Sequence, residues 1–394
     1  MVRVFNNQWI LIEIIIFYCV LSSARASCTL GQNTYVDLFL TIIVFLYFFS
    51  NKLFETSLLK RVATISFILA VCWTMHGLML HAYVGEVVTA AIPLMLFNLK
   101  QDKQLELLEF ISKALAITLI ISYFAWLASF LGFEFPATTE YFDLDYTYGV
   151  INKNHFLYLK VVNLDSTGQE IIQNIVRFNG IFLEPGHTGT IIAFFLIANR
   201  YDFSKWYVKI LIFILIVTLS AAAYLLAFLG YIFIAVVEGK AKKNLLQVFI
   251  LMSLLFIVSQ YNNGDNIINN VVFDKLFNSD RGLENRFTGE VSNAYDMLWM
   301  RHDYLLGLSG DVNVAHSAGY KVFIIQQGLF GAFLVLFAYF LMYKSYNSHL
   351  GFFFFIITML SFLQRVYFTW DAYLDPYILG LSNFTIIKNK IYKK

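Results

Sequence analysis

Long apolar runs separated by short polar breaks fill this sequence almost end to end. They fall at about 9–24, 35–50, 62–81, 84–99, 113–132, 181–199, 206–220, 221–237, 244–260, 319–342, 350–367 and 376–388. A helix crosses a bilayer with roughly 17–25 apolar residues, and with fewer where it stands upright or the membrane thins. The short alternating strands of a membrane barrel are missing, and lipid otherwise admits only helices. The expected fold class is therefore all-α: a polytopic integral membrane protein, a single membrane domain over residues 1–394, with about twelve transmembrane helices.

The polar breaks carry the orientation. Lys52, Lys60 and Arg61, then Lys100 and Lys103, Arg200 and Lys205, Lys240, Lys242 and Lys243, and Lys344 occupy alternate connections, and the terminal "KNKIYKK" joins them. Positive charge marks the cytoplasmic side, so both termini are expected there. Basic clusters at both ends of 206–237 demand an even number of crossings, which splits that stretch near Ser220 into two short spans. Two long connections remain on the other side, 133–180 and 261–318, both rich in Asn, Asp, Tyr and Gly. Long loops in a compact protein are more often functional than decorative. Within the second, Val291, Tyr295, Leu298 and Trp299 recur at helical spacing, with Asn293, Asp296 and Arg301 elsewhere on the surface, which predicts a short amphipathic helix on the membrane face.

Composition sharpens the class. The chain is 59% hydrophobic, 18% aromatic and 14% charged, with mean hydropathy +0.66, against about 25% charged in a soluble domain. A net charge of +2 with no basic stripe beyond the short tail implies no nucleic-acid partner. Cys19 and Cys72 lie in apolar runs and Cys28 stands alone in a short loop, with no C-x-x-C, so neither a disulfide framework nor a metal site is expected. Residues 9–22 followed by "ARA" imitate a signal peptide, but the basic n-region is thin and Glu13 interrupts the apolar core; an uncleaved first span is expected.

Candidate chemistry concentrates in "RFNGIFLEPGHTG", residues 177–189, just before and into an uncharged apolar run. The topology turns this helix start outward. Pro185 suits a first helical turn, Glu184 falls at or near the cap, and Gly186, Gly189 and Thr190 form a small, close-approach face. Free N–H groups and the positive dipole end attract anions, phosphate above all, and Arg177 supplies a fork that grips phosphate with two hydrogen bonds. His187 has no role that improves on an interfacial histidine. Arg281, Arg286 and Arg301 fall within 21 residues of the second loop. They are interleaved with acids, as on an ordinary solvated face. The next run, however, opens outward at His316 and Ser317 and carries Gly328 and Gly331 for tight packing. Two such helix ends, each with a nearby arginine, suit one anionic ligand.

Three stretches carry a family likeness. "RFNGIFLEPG" resembles the Arg-x-x-Gly-x-Phe-x-Glu-Pro signature of the O-antigen polymerase and ligase superfamily of bacterial membrane glycosyltransferases. "TLSAAAYLLAFLGYIF" at 218–233 resembles its serine-containing turn between two short spans, although Ala221–Ala223 depart from the usual residues. "LLGLSG" at 305–310, His316 and Gly328-x-x-Gly331 resemble the end of its large periplasmic loop. The likeness covers roughly 177–342. It implies a GT-C-like, metal-independent enzyme without cofactor in the bacterial inner membrane, its active site facing the periplasm. The implied substrate is an undecaprenyl-diphosphate-linked oligosaccharide in membrane lipid, with a flippase and a chain-length regulator as companion proteins. It also implies roles. Arg177, Arg286 and Arg281 would bind the diphosphate, His316 or Glu184 would accept the acceptor's proton, and Arg301 and His187 would contribute to substrate binding. Tyr141, Tyr146 and Trp299 are candidates to stack on sugars. The function expected is polymerisation of repeat units. The alternatives are a ligase delivering the glycan to lipid A–core and, in another class, a polysaccharide or lipid transporter or flippase, which predicts charges buried mid-span.

Overall fold

The computed structural model describes residues 7–29, 33–75, 80–133, 135–141, 150–164, 170–171, 177–239, 253, 256–261, 269, 289–308, 319–363 and 371–391. Its helices are α1 (Asn7–Ser23), α2 (Thr34–Ser50), α3 (Leu59–Met75), α4 (Leu80–Phe97), α5 (Gln101–Phe130), α6 (Pro185–Ala198), α7 (Trp206–Val217), α8 (Ala221–Val237), α9 (Gly289–Met300), α10 (Tyr320–Tyr346), α11 (His349–Phe362) and α12 (Asp371–Ile391). Every apolar run but one therefore overlaps a helix; the run 244–260 lies largely outside the described residues. The protein is mostly helical, as the periodicity required. Helices α5 and α10 are long and apolar enough to cross a membrane, and α1, α2, α6, α7, α8 and α11 are apolar but shorter.

Three features differ from the sequence reading. The connection 133–180 is no plain loop. It folds into an antiparallel meander of β1 (Ala137–Tyr141), β2 (Val150–His155), β3 (Leu159–Leu164) and β4 (Glu170–Ile171), in that order. Thr138 faces Asn154 and Ile151 faces Val162 in its register. Thr, Val, Ile and Tyr alternate there, a strand pattern hidden by the polar Asn and Lys between them. Second, α5 begins at Gln101, not near 113. Its charged opening turns are helical because Lys103 pairs with Glu106 and Lys113 with Glu109, both at 2.6 Å.

Third, Gly328 does not serve helix–helix packing. It breaks α10, with φ 61° and ψ 175°, a conformation open almost only to glycine. The break frees backbone groups, and the loop before it takes them up: Leu308 N–H donates to Ile325 O at 2.8 Å. A Cβ on Gly328 would sit 2.3 Å from Leu305 O, and one on Gly307 2.6 Å from Ile325 O. Leu305–Leu308 is thus a strand of loop seated in a helix break.

The amphipathic helix predicted around 291–299 exists as α9. Val291 and Leu298 are fully buried, and Val291 clusters with Val322 and Ile325 of α10, while Trp299 stacks on Tyr304 with ring centroids 5.2 Å apart. The expected break near Ser220 is also present. Helix α7 ends at Val217, Leu219 takes φ 49°, and Ser220 is the N-cap position of α8.

Helix α6 is the hub. Residues Gly186–Ala198 are buried all round, as an evenly apolar helix must be. It packs against α8, α12 and α7. Small residues permit the approach: a Cβ on Gly230 would meet Ile197 at 2.4 Å, and one on Gly380 would meet Ala198 Cβ at 3.0 Å. The outer helices show the opposite pattern, with Phe39, Phe45 and Phe49 of α2 and Phe330, Phe333 and Phe337 of α10 exposed. Such apolar faces in water would drive association.

Candidate functional site

The segment 177–189 forms the mouth of α6. Glu184 occupies the N-cap position with extended backbone, φ −142° and ψ 149°, and Pro185 follows at the first helical position. The Glu184 side chain makes no capping hydrogen bond and is exposed. Its carbonyl instead starts the helix, accepting from His187 N–H at 3.0 Å and Thr188 N–H at 3.3 Å. Thr188 hydroxyl donates to Asn179 O, which folds the preceding turn back over the helix end. Gly180 (φ 64°) makes that reversal possible; its carbonyl accepts from Leu159 N–H at 2.9 Å, docking the β-meander beside the mouth.

Arg177 is half-buried, and its Nη2 donates to Leu219 O at 2.8 Å. Leu219 lies in the α7–α8 break, where a helix end leaves carbonyls without helical donors. A guanidinium carries its donors in a rigid fork, so this bond fixes the direction of the whole group. The hydroxyl of Tyr224 lies within electrostatic reach of the same guanidinium. One turn into α6, a Cβ on Gly189 would meet Ala223 Cβ at 2.6 Å and Ser220 Cβ at 3.3 Å. The mouth of α6 and the α7–α8 turn are therefore one packed unit. The composition of the turn "SAAA" has a physical reason. Small residues let it seat against Gly189, while the carbonyl before it holds Arg177.

The structure brings Arg177, Glu184 and His187 to one helix mouth. His187 is 2% exposed and faces the packed interior of the bundle, not its surface. Arg301 is exposed at the end of α9, an element packed on α10 and on the turn Asp303–Leu305. Arg281, Arg286 and His316 lie outside the described residues, as does Tyr146. Tyr141 ends β1, and Trp299 is already stacked on Tyr304.

Sequence reasoning missed two buried acids. Asp371 and Asp375 open α12 and are 3% and 0% exposed. Their signal was "DAYLDP", two carboxylates one helical turn apart just before the last apolar run.

A separate cavity of about 430 Å³ lies at the opposite end of α6, lined by Asn199, Arg200, Lys205, Tyr231, Glu238 and Asn383 among others. Its charges are matched internally. Arg200 pairs with Glu238, and Asp202 accepts hydrogen bonds from Ser204, whose hydroxyl holds that carboxyl below the usual range. This polar pocket has no surplus charge for an anion.

In chemical terms, the α6 mouth offers a positive dipole end, an aimed guanidinium and an exposed carboxylate at the helix cap. This set suits the binding of an anion and the transfer of a proton beside it. Comparison with protein-family models, with curated proteins and with solved structures finds no match for this chain.

Proposed function

We propose that the protein is a multi-pass glycosyltransferase of the bacterial inner membrane that polymerises undecaprenyl-diphosphate-linked oligosaccharide repeat units at the outer face. The observation that carries this reading is the Arg177–Leu219 bond at the mouth of α6. It couples two of the stretches that resemble the O-antigen polymerase and ligase superfamily, although 42 residues separate them. A membrane setting for about twelve spans is supported by the exposed apolar faces of α2 and α10 and by the long apolar helices α5 and α10.

In the proposed reaction an acceptor hydroxyl attacks the anomeric carbon of the lipid-linked glycan. The bond from that carbon to the diphosphate oxygen breaks, and the lipid diphosphate leaves with the electron pair. Negative charge grows on the leaving group, where a fixed guanidinium and helix N–H groups stabilise it most. Arg177 takes this role with Arg286 and Arg281. Glu184 or His316 accepts the acceptor's proton; the exposure of Glu184 at the cap suits it to that role. Arg301 and His187 complete the proposed substrate-binding set, His187 by packing under the helix mouth.

The test is glycan chain length in cells carrying Arg177→Ala or Arg286→Ala at normal protein levels. Each variant is expected to abolish polymerisation while still inserting. Removal of divalent ions is expected to leave the wild type active. Wild-type chain length in either variant sinks the diphosphate clamp.

A transporter or flippase is the second reading, and the break of α10 at Gly328 with the buried acids of α12 favours it. It predicts movement of an intact lipid-linked glycan with no new glycosidic bond.

A further inference from the structure

Asp371 and Asp375 stand one turn apart on α12, a spacing that sets Cβ atoms about 5–6 Å from each other. Both are buried, and neither oxygen of Asp375 nor Oδ1 of Asp371 has a hydrogen-bond partner. Ionised carboxylates are acceptor-only, and two of them left bare inside a protein are costly. Such a pair is neutralised either by protons or by a bound cation.

The surroundings add acceptors. Helix α1 ends at Ser23, whose hydroxyl accepts from Ala372 N–H at 3.1 Å, so the carbonyl end of α1 abuts the start of α12. A helix C-terminus is the negative end of its dipole. Asp37 of α2 is held by Ser22 at 3.3 Å and lies within electrostatic reach of Asp371. Ser22 and Ser23 at the end of α1 thus tie it to Asp37 of α2 and to Ala372 of α12. Among the described residues, no three His, Cys, Asp or Glu side chains gather as a metal set.

We infer that Asp371 and Asp375, with the carbonyl end of α1, bind a sodium-like monovalent cation at the junction of α1, α2 and α12. Hard oxygen donors select such an ion over a transition metal. With one of the two carboxyls protonated, the other carboxylate and the backbone carbonyls match a single positive charge. Carbonyl ends of helices serve the same purpose in sodium-coupled membrane proteins. Protonation of both acids would also neutralise the pair, and an infrared measurement separates that outcome from a bound cation. The cation would clamp the helix ends beside the α6 mouth, to which the α1–α2 connection is tied by Ser27 N–H donating to Ile181 O at 2.7 Å.

The experiment uses the purified full chain in lipid nanodiscs without substrate, so its outcome is separate from that of the glycosyltransferase reading. Thermal unfolding is followed in sodium chloride and in N-methylglucamine chloride at equal ionic strength and pH, and retention of radioactive sodium is measured directly. Sodium is expected to raise the melting temperature saturably and to be retained. Asp375→Asn is expected to lose the rise and weaken retention at least tenfold. Should that variant fail to accumulate, saturable sodium retention by the wild type decides the matter alone. Equal melting in the two salts overturns the proposal, as does retention unchanged in Asp375→Asn. Stabilisation by calcium but not sodium also overturns it. So does the infrared band of a protonated carboxylic acid lost in Asp375→Asn without any sodium effect, which would assign the pair to a proton.

Discussion

At the scale of single residues, two positions carry the mouth of α6. Arg177 is held by the carbonyl of Leu219, in the short turn between the end of α7 at Val217 and the start of α8. An arginine suits this place better than a lysine, because its planar fork keeps a fixed orientation once one arm is bonded to a carbonyl. Gly189 is the second. With Ala223 Cβ 2.6 Å from where its own Cβ would stand, any side chain pushes the α7–α8 turn away. We expect Gly189→Val to cost about 1–3 kcal/mol through overpacking and to reduce glycan extension along with stability. Unchanged melting of Gly189→Val in nanodiscs would show that the turn is not seated as described.

Cys28 illustrates a residue with no such role. Burial pushes its thiol up to about 11, so it stays protonated and unreactive at neutral pH.

At the scale of elements, the informative pieces are the ones that break. The split of 206–237 followed from charge alone, because basic clusters at both ends require an even number of crossings. The break in α10 was not legible in this way. Gly328 sits in an apolar run where glycine ordinarily signals close packing; its real role depends on Leu305–Leu308, which no local pattern links to it. The β-meander was hidden for a related reason: strand pairing is a contact between segments, and the period-2 pattern of 137–164 is diluted by polar residues. The buried acids of α12 escaped because sequence alone does not reveal burial. The α10 break has a direct consequence. Gly328→Ala forces a side chain into a backbone conformation reserved for glycine and against Leu305 O at 2.3 Å. We expect it to destabilise by more than about 1 kcal/mol and to open 303–308 to proteolysis. A protease pattern and melting temperature equal to wild type would refute that seating.

At the scale of the whole molecule, the helix ends sort into two groups. Ser27 with Ile181, Ser23 with Ala372, Arg177 with Leu219 and Trp126 beside Phe178 gather the end of α1, the starts of α6, α8 and α12 and the ends of α5 and α7. At the other group, Gln101 donates to Ser382 O at 3.0 Å, Gln104 to the Tyr346 hydroxyl at 2.8 Å and Asn383 to Ala198 O at 2.9 Å. The second group includes Lys100, Lys103, Arg200, Lys205 and Lys344 near its helix ends. Along the chain these helix ends alternate between the two groups. Under the proposed function the Arg177 mouth would face outward and the Arg200 cavity the cytoplasm.

The most direct test of a polymerase is the surface glycan of a strain lacking this protein, compared with the same strain complemented by wild type and by Arg177→Ala. We predict single repeat units capped on the lipid acceptor in the deletion strain and in Arg177→Ala, with full-length chains restored by wild type. Full-length glycan stranded on undecaprenyl diphosphate would mean a ligase instead, and a surface glycan unchanged by the deletion would contradict the assignment altogether.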